Sequence, residues 1–246
     1  MTESRRGRRV WWRLGAGLAA LGMTAGCSSH GDGSAGKPNG IEGQSVDRVF
    51  TRVDKALDAT SVHTVQVSGG RKLSDVHAVH GGDRCTGLLT DDDGYAWHFT
   101  TLGERIWVTP QRSSAKLADR TGAQVEPGRY LLVEVSSPGF AGTLAQHTSA
   151  GCHMRFSTLK QQHVVVTKGA ESRMNGRPVL AVNAEQGDVK STVYLATTGE
   201  PVPLRVVGRA GKQAFTTTWE DYGVTPTVSA PPKSKTLPSL SSEPDR

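Results

Sequence analysis

The pattern of apolar residues changes from helical spacing to strand-like alternation near residue 60. Before that point, apolar side chains recur every three or four positions, which places them on one face of a helix. They are Val46, Val49, Phe50, Val53, Ala56 and Leu57. Ser45 is a suitable N-cap, and Asp47 lies in the first turn, where a negative charge suits the helix dipole. The spacing therefore predicts an amphipathic helix over residues 45–60.

Beyond residue 60, most apolar residues alternate with polar ones, as in strands that have one buried face. The apolar members of these runs are Val65, Val67, Trp97, Phe99, Ile106, Val108, Val189, Val193, Leu195, Val202, Leu204, Val206, Phe215 and Trp219. Asp93-Gly94 is typical of a tight hairpin turn, and residues 139–149 are predicted to form a short second helix. The predicted fold class is α+β, with one long amphipathic helix followed by a large antiparallel sheet.

The apolar stripe of the helix has to be buried against the concave face of this curved sheet. Side chains could fill the interior completely, as in an ordinary core, or leave an apolar cavity, and the pattern agrees with both. The residues predicted to face this interior are Val49, Phe50, Val53, Leu57, Val65, Trp97, Phe99, Ile106, Val193, Leu204 and Phe215.

The N-terminus has the order of regions found in an export signal. A basic stretch is followed by an apolar run over 10–21 and by the motif Thr24-Ala25-Gly26-Cys27, which matches the usual n-region, h-region and cleavage site. The apolar run is shorter than the roughly 20 residues that a transmembrane helix needs. Since the cysteine directly follows small residues, the motif resembles a bacterial lipobox. We predict a signal peptide over 1–26 and diacylation of Cys27.

Two points about this signal stay open in the sequence. An ordinary secretory signal with an incidental cysteine is the alternative to the lipobox. The pairs Arg5-Arg6 and Arg8-Arg9 permit export by the twin-arginine route, and the Sec route is the alternative. With the acylated Cys27, the chain is predicted to lie at the extracytoplasmic face of the cell membrane, because two acyl chains suffice for stable anchoring.

The segments on either side of the patterned region have the composition of flexible chain. Residues 27–44 are rich in Gly and Ser and are predicted to be a tether. Residues 231–246 are rich in Pro and Ser and are predicted to be a disordered tail. The folded domain is then predicted to cover residues 45–230.

The net charge of the chain is +6 and its pI is ≈ 9.4. Such values are typical of proteins that bind nucleic acid. Five arginines and one acid lie within residues 1–26, so the remainder carries 24 basic and 22 acidic residues and a net charge of +2. Most of the excess charge therefore belongs to the signal peptide. We expect no binding of nucleic acid.

Cys85 and Cys152 lie in the part of the chain that is predicted to be exported. An even pair in an oxidising compartment is most simply a disulfide. A reactive or metal-binding pair of thiols is the alternative, although the chain has no CxxC spacing.

The motifs of common enzymes and cofactor sites are missing from the sequence. It contains no GxSxG, Walker A, HExxH or CxxC motif. His77 and His80 would point to opposite faces of a strand, which makes them a poor metal-binding pair. Asp91–Gly94 lacks the spaced ligands of a calcium loop. His153 is adjacent to Cys152 in sequence, and adjacent residues seldom face each other as a nucleophile and its base. We therefore expect no enzyme activity, no metal and no cofactor.

Several motifs resemble the LppX/LprAFG group of actinobacterial lipoproteins, whose half-barrel fold is similar to that of the lipoprotein carrier LolA. They are the lipobox at Cys27, Ser61–Val65, Asn175–Val179, Val189–Leu195, Gly199–Arg205, Phe215–Trp219, Asp221–Gly223 and Thr227–Pro231. The resemblance implies a half-barrel wrapped on the long helix, and it implies that a lipid or lipidated glycan is carried in an apolar cavity between helix and sheet.

Two functions are therefore expected. The first is an anchored lipoprotein that binds or carries a lipid or another amphipathic molecule in the cell envelope. The second is an anchored interaction or sensor domain with a filled core, which acts through its surface on an envelope protein partner.

Overall fold

The computed structural model describes residues 36–90, 94–112, 125–134 and 139–237. The predicted signal peptide 1–26, the predicted lipidation site Cys27 and the acidic stretch Asp91–Asp93 lie outside these residues, so these features stay predictions. Among the described residues, no helix combines the length and the apolar character that crossing a membrane requires.

The two predicted helices are present. Helix α1 (Val46–Asp58) falls within the predicted range, and Ser45 takes the N-cap position in extended backbone. Helix α2 (Gly139–Cys152) continues three residues beyond the predicted second helix. The two helices have 13 and 14 residues, so the prediction of one long helix and one short one is replaced by two helices of similar length.

The described residues form one sheet of twelve strands. Its strands are β1 (Val62–Ser68), β2 (Arg71–Ala78), β3 (Arg84–Thr90), β4 (Ala96–Leu102), β5 (Arg105–Pro110), β6 (Tyr130–Val133), β7 (Val165–Met174), β8 (Arg177–Gln186), β9 (Val189–Ala196), β10 (Pro203–Ala210), β11 (Gln213–Glu220) and β12 (Thr236–Leu237). Their spatial order is β12-β6-β5-β4-β3-β2-β1-β11-β10-β9-β8-β7, so the sheet is open, with β12 and β7 at its edges.

Neighbouring strands are antiparallel throughout, except that β12 runs parallel to β6. The predicted large antiparallel sheet is therefore confirmed. The two strands around the predicted turn at Asp93-Gly94, β3 and β4, are direct neighbours.

The two helices pack on the same face of the sheet, which we call the inner face. Helix α1 contributes Val49, Phe50 and Val53 to a core that also contains Trp97, Phe99 and Trp219, while α2 contributes Leu144 and Ala145. Helix α2 lies along β2, β3 and β6, whereas α1 lies near β7 and the turn at residues 80–82. The cover of the inner face is thus shared between two helices.

Two links fix the helices to the rest of the domain. A disulfide joins Cys85 of β3 to Cys152 at the end of α2, with a Cα–Cα distance of 5.9 Å. The carboxylate of Asp54 in α1 accepts hydrogen bonds from the backbone N–H groups of Phe156 at 2.8 Å and Ser157 at 3.0 Å. The predicted disulfide is confirmed, and it leaves no Cys152 thiol to act as a nucleophile beside His153.

Both domain boundaries differ from the predicted ones. Residues 36–44 were predicted to belong to the tether, but Pro38 bridges to Thr198 and Ile41 is fully buried. Residues 231–237 were predicted to belong to the tail, but β12 pairs with β6. The structured domain therefore extends at least from residue 38 to residue 237. The composition of its two ends predicts flexible chain, but short backbone pairings attach both ends to the sheet.

Candidate functional site

Seven of the eleven residues predicted to face the interior lie in the core, with side chains exposed by 4% or less. They are Val49, Phe50, Val53, Trp97, Phe99, Ile106 and Val193. A cavity wide enough for an acyl chain would leave its lining accessible to a molecule the size of water, and these side chains are not accessible. At these positions the space between α1 and the sheet is filled by side chains.

Phe156 explains how this space is filled. Its ring lies 5.7 Å from the ring of Phe50 and 6.0 Å from the ring of Trp219, measured between centroids. Such tilted aromatic pairs add stability beyond the area that they bury. The cleft that remains beside Trp219 measures ≈ 30 Å³, which has room for about one or two water molecules.

The other four predicted residues are half-buried and scattered. Leu57 packs against the main core, and Leu204 packs against a small second cluster of Ala56, Ala196 and Val202. Phe215 shares the inner face of β11 with Trp219. Val65 lies on the outer face instead, because it alternates with the buried residues Val62 and Thr64 of β1, and Thr64 pairs with Trp219.

A large open groove lies beside β5 and β6, and we call it the β5–β6 groove. Its volume is ≈ 1460 Å³, and the turn at Gly103, the end of α2 and the C-terminal segment 230–237 complete its walls. The residues of its apolar wall are Ile106, Trp107, Leu132, Pro231 and Leu237. Its charged residues, all exposed at the mouth, are Asp83, Glu104, Arg105, Glu134 and Lys233.

The accessible apolar surface of this groove comes mainly from Leu132, Pro231 and Leu237, which are half-buried, because β5 is buried on both faces. Ile106 and Val108 face the core as predicted, but Trp107 and Thr109 are buried as well. The Oγ1 atom of Thr109 accepts a hydrogen bond from the backbone N–H of Gly128 at 3.0 Å. Of the groove residues, only Ile106 was predicted as part of a ligand site, since strand alternation places Trp107 on the face opposite to Ile106.

A second open groove lies between α1 and the start of β10, and we call it the α1–β10 groove. Its volume is ≈ 790 Å³, and Tyr222 and Val202 form its apolar part. Its charged residues are Arg52, Lys55, Arg177 and Glu200, so positive charge predominates. The hydroxyl of Tyr222 donates a hydrogen bond to the carbonyl oxygen of Pro203, and burial raises the pKa of this phenol above its ordinary value.

No protein-family model and no curated protein matches this chain. Solved structures that resemble it in fold include the following three. The lipoprotein LppX of Mycobacterium tuberculosis is 15% identical, with a TM-score of 0.46, over 75% of this chain and 100% of LppX. LprF of Mycobacterium bovis is 12% identical, with a TM-score of 0.45, over 75% and 96% of the two chains.

The third structure is an uncharacterized conserved protein from Thermus thermophilus. It is 16% identical, with a TM-score of 0.46, over 79% of this chain and 99% of that protein. LppX and LprF belong to the group that the sequence motifs resemble. At these identities the likeness extends to the fold alone.

Proposed function

We propose that this protein is a membrane-anchored envelope lipoprotein that binds a lipid or lipidated glycan with its acyl chains in the β5–β6 groove. The observation that supports this function is an apolar wall joined to a charged mouth in a groove of ≈ 1460 Å³, which is larger than the roughly 300–1,000 Å³ of ordinary small-molecule pockets. Each buried acyl CH₂ group contributes about 0.8 kcal/mol to binding. Binding of this kind requires no covalent chemistry.

The charges at the mouth of the groove suit a polar head group. Arg105 and Lys233 offer donors to a phosphate or carboxylate, while Asp83 and Glu104 offer acceptors to the hydroxyl groups of a glycan. The predicted anchor at Cys27 precedes Pro38 by only eleven residues, which span at most about 40 Å. An anchored domain would therefore stay within reach of membrane lipids.

Leu132 gives the most direct test of the groove. Its neighbours Leu131 and Val133 are buried in the core, whereas Leu132 is half-buried and lines the groove. We expect Leu132→Glu to weaken the binding of a phospholipid with a fluorescent acyl chain about tenfold or more. The physical reason is that the variant loses the about 1.5–3 kcal/mol that a buried leucine side chain supplies and places a charge against the chain.

Leu88→Glu is the matched control, because Leu88 is a half-buried leucine on the outer face of β3 that does not line the groove. Both variants are first compared with the wild type by thermal unfolding. Equal lipid affinity for the two variants, or no saturable lipid binding by the wild type, would contradict the proposed site.

The packed interior favours a second candidate function, an interaction domain with a filled core. In that case the α1–β10 groove, with Arg52, Lys55 and Arg177 against one acid, would receive an acidic segment of an envelope protein. Native mass spectrometry after delipidation and renewed exposure to a membrane extract separates the two functions. A retained lipid supports the carrier, whereas a protein complex without lipid supports the interaction domain.

A further inference from the structure

Three adjacent strands bring a cluster of histidines and carboxylates together on the outer face of the sheet. His63 of β1 lies directly opposite His77 of β2 and directly opposite Glu220 of β11. Asp75 is on the same face as His77, because the two residues are two positions apart in one strand. Asp221 follows β11 and completes the cluster. This cluster is separate from both grooves, whose lining residues do not include its members.

One carboxylate oxygen of Asp75 is shared between the two histidines. Its Oδ1 atom lies 2.7 Å from Nε2 of His63 and 3.8 Å from Nε2 of His77. Its other oxygen, Oδ2, lies 2.6 Å from Nζ of Lys72. Lys72 thus occupies one side of the carboxylate and leaves Oδ1 directed at the two rings.

The second nitrogen of His63 faces the carboxylates of β11. Nδ1 lies 3.1 Å from Oε1 of Glu220 and 3.4 Å from Oδ2 of Asp221. A histidine that ligates a metal through one nitrogen usually donates the N–H of the other to a carboxylate, which fixes the ring and raises its basicity. In this structure Nδ1 faces both carboxylates without forming a hydrogen bond to either, and Nε2 is hydrogen-bonded to Asp75. A metal ion bound at Nε2 would therefore replace that hydrogen bond and leave Nδ1 directed at Glu220 and Asp221.

We propose that Nε2 of His63, Nε2 of His77 and Oδ1 of Asp75 bind a divalent transition-metal ion of the Zn²⁺ type. With metal–ligand bonds of about 2.1 Å, the donor atoms of a tetrahedral site are about 3.4 Å apart. The two distances from Oδ1, 2.7 and 3.8 Å, lie on either side of this value, and all three donor atoms lie within 4.8 Å of one another. Three protein ligands leave the fourth position to water or to a donor from another molecule.

Ion binding requires one ring to tilt. The two imidazoles are stacked, with centroids 3.9 Å apart and planes at 10°, whereas each nitrogen lone pair lies in the plane of its ring. His77 is the ring that tilts, because its side chain is 43% exposed and that of His63 only 14%. Breaking the stack is therefore a local change at the surface of the sheet.

The charges around the cluster favour a cation. The cluster contains three carboxylates, those of Asp75, Glu220 and Asp221, and a single lysine, Lys72, which pairs with Asp75.

Calorimetric titration of ZnCl₂ into the full chain, after removal of metals with EDTA, tests this site. We expect one equivalent to bind in the wild type and the affinity to fall at least tenfold in His77→Gln. His77 is chosen because its exposed ring can be replaced without loss of core packing. His98→Gln is the matched control, since His98 is an exposed histidine of β4 on the same outer face, and it should bind as the wild type does.

Glu220→Gln separates a metal site from a network of hydrogen bonds. We expect it to keep one equivalent of Zn²⁺ and to weaken binding about tenfold, as the loss of an outer-shell carboxylate usually does. Co²⁺ should show the visible absorption of a four-coordinate site in the wild type and not in His77→Gln. Absence of saturable Zn²⁺ binding, or equal affinity in wild type and His77→Gln, would overturn the proposal and leave only an ionic network around His63.

Discussion

Replacing Cys85 and Cys152 together by alanine is expected to lower the free energy of unfolding by about 4 kcal/mol. The disulfide closes a loop of 67 residues, and the chain-entropy model assigns about 4 kcal/mol to a loop of this length. The link also holds the end of α2 on β3, where Cys85 is fully buried in the core. Urea denaturation of the wild type and the double variant measures the difference.

Reduction of the wild type is the control for this prediction. A reductant should lower the stability of the wild type towards that of the double variant and leave the double variant unchanged. The thiols are counted in a Cys27→Ser background, so that only this pair contributes. Two free thiols in the oxidised native protein would show that Cys85 and Cys152 do not form a disulfide. The same conclusion would follow if the reductant did not change the stability of the wild type.

The elements with a strong period could be predicted from the sequence. Helix α1 follows from six apolar residues at helical spacing, and it begins and ends within two residues of the predicted range. The large antiparallel sheet follows from the alternation of apolar and polar residues, because side-chain direction in a regular element depends on local spacing. The pairing of Cys85 with Cys152 follows from their number and their compartment.

The filling of the interior could not be predicted, because a period assigns side chains to a face but does not measure the space between two faces. Phe156 occupies that space, yet it comes from an irregular segment after α2 and has no periodic signal. It is placed by Asp54, whose carboxylate accepts from its backbone N–H. The difference between a packed core and a cavity therefore depends on tertiary contacts of a loop.

The histidine cluster depends on a single extra residue. The turn at Gly69-Gly70 pairs Ser68 with Arg71, and a regular hairpin would continue to pair His63 with Val76. A bulge between Gln66 and Val67 shifts the register by one residue, so His63 pairs with His77 instead. Because a one-residue shift moves side chains to the other face, the sequence alone could not place these rings together.

The β5–β6 groove depends on contacts that are distant in sequence. Its outer wall comes from residues 230–237, which reach β6 through the parallel pairing of Thr236 with Tyr130 and of Leu237 with Leu131. Two paired residues in a Pro-rich and Ser-rich segment have no local signal, so the composition predicted a tail. Residues of the predicted tail thus form part of the proposed lipid site.

The second large effect is expected at Asp54, which is a buried charged residue on α1, exposed by only 7%. Its two oxygens satisfy the backbone N–H groups of Phe156 and Ser157, at 2.8 and 3.0 Å. Asp54→Ala leaves both donors without this acceptor, and each buried donor that loses its partner costs about 1–3 kcal/mol. We expect a loss of about 3 kcal/mol in the free energy of unfolding, measured by urea denaturation.

Asp58, one helical turn later, is the matched control because its carboxylate is at the surface. It lies 2.5 Å from Nη1 of Arg155, with 45% of the aspartate side chain exposed, and such surface pairs contribute less than about 1 kcal/mol. Asp58→Ala should therefore cost much less than Asp54→Ala, although both variants remove an aspartate from the same helix. Equal losses would mean that the carboxylates act through the charge of α1. A larger loss at Asp54 means that its two backbone hydrogen bonds hold Phe156 in the interior and keep it filled.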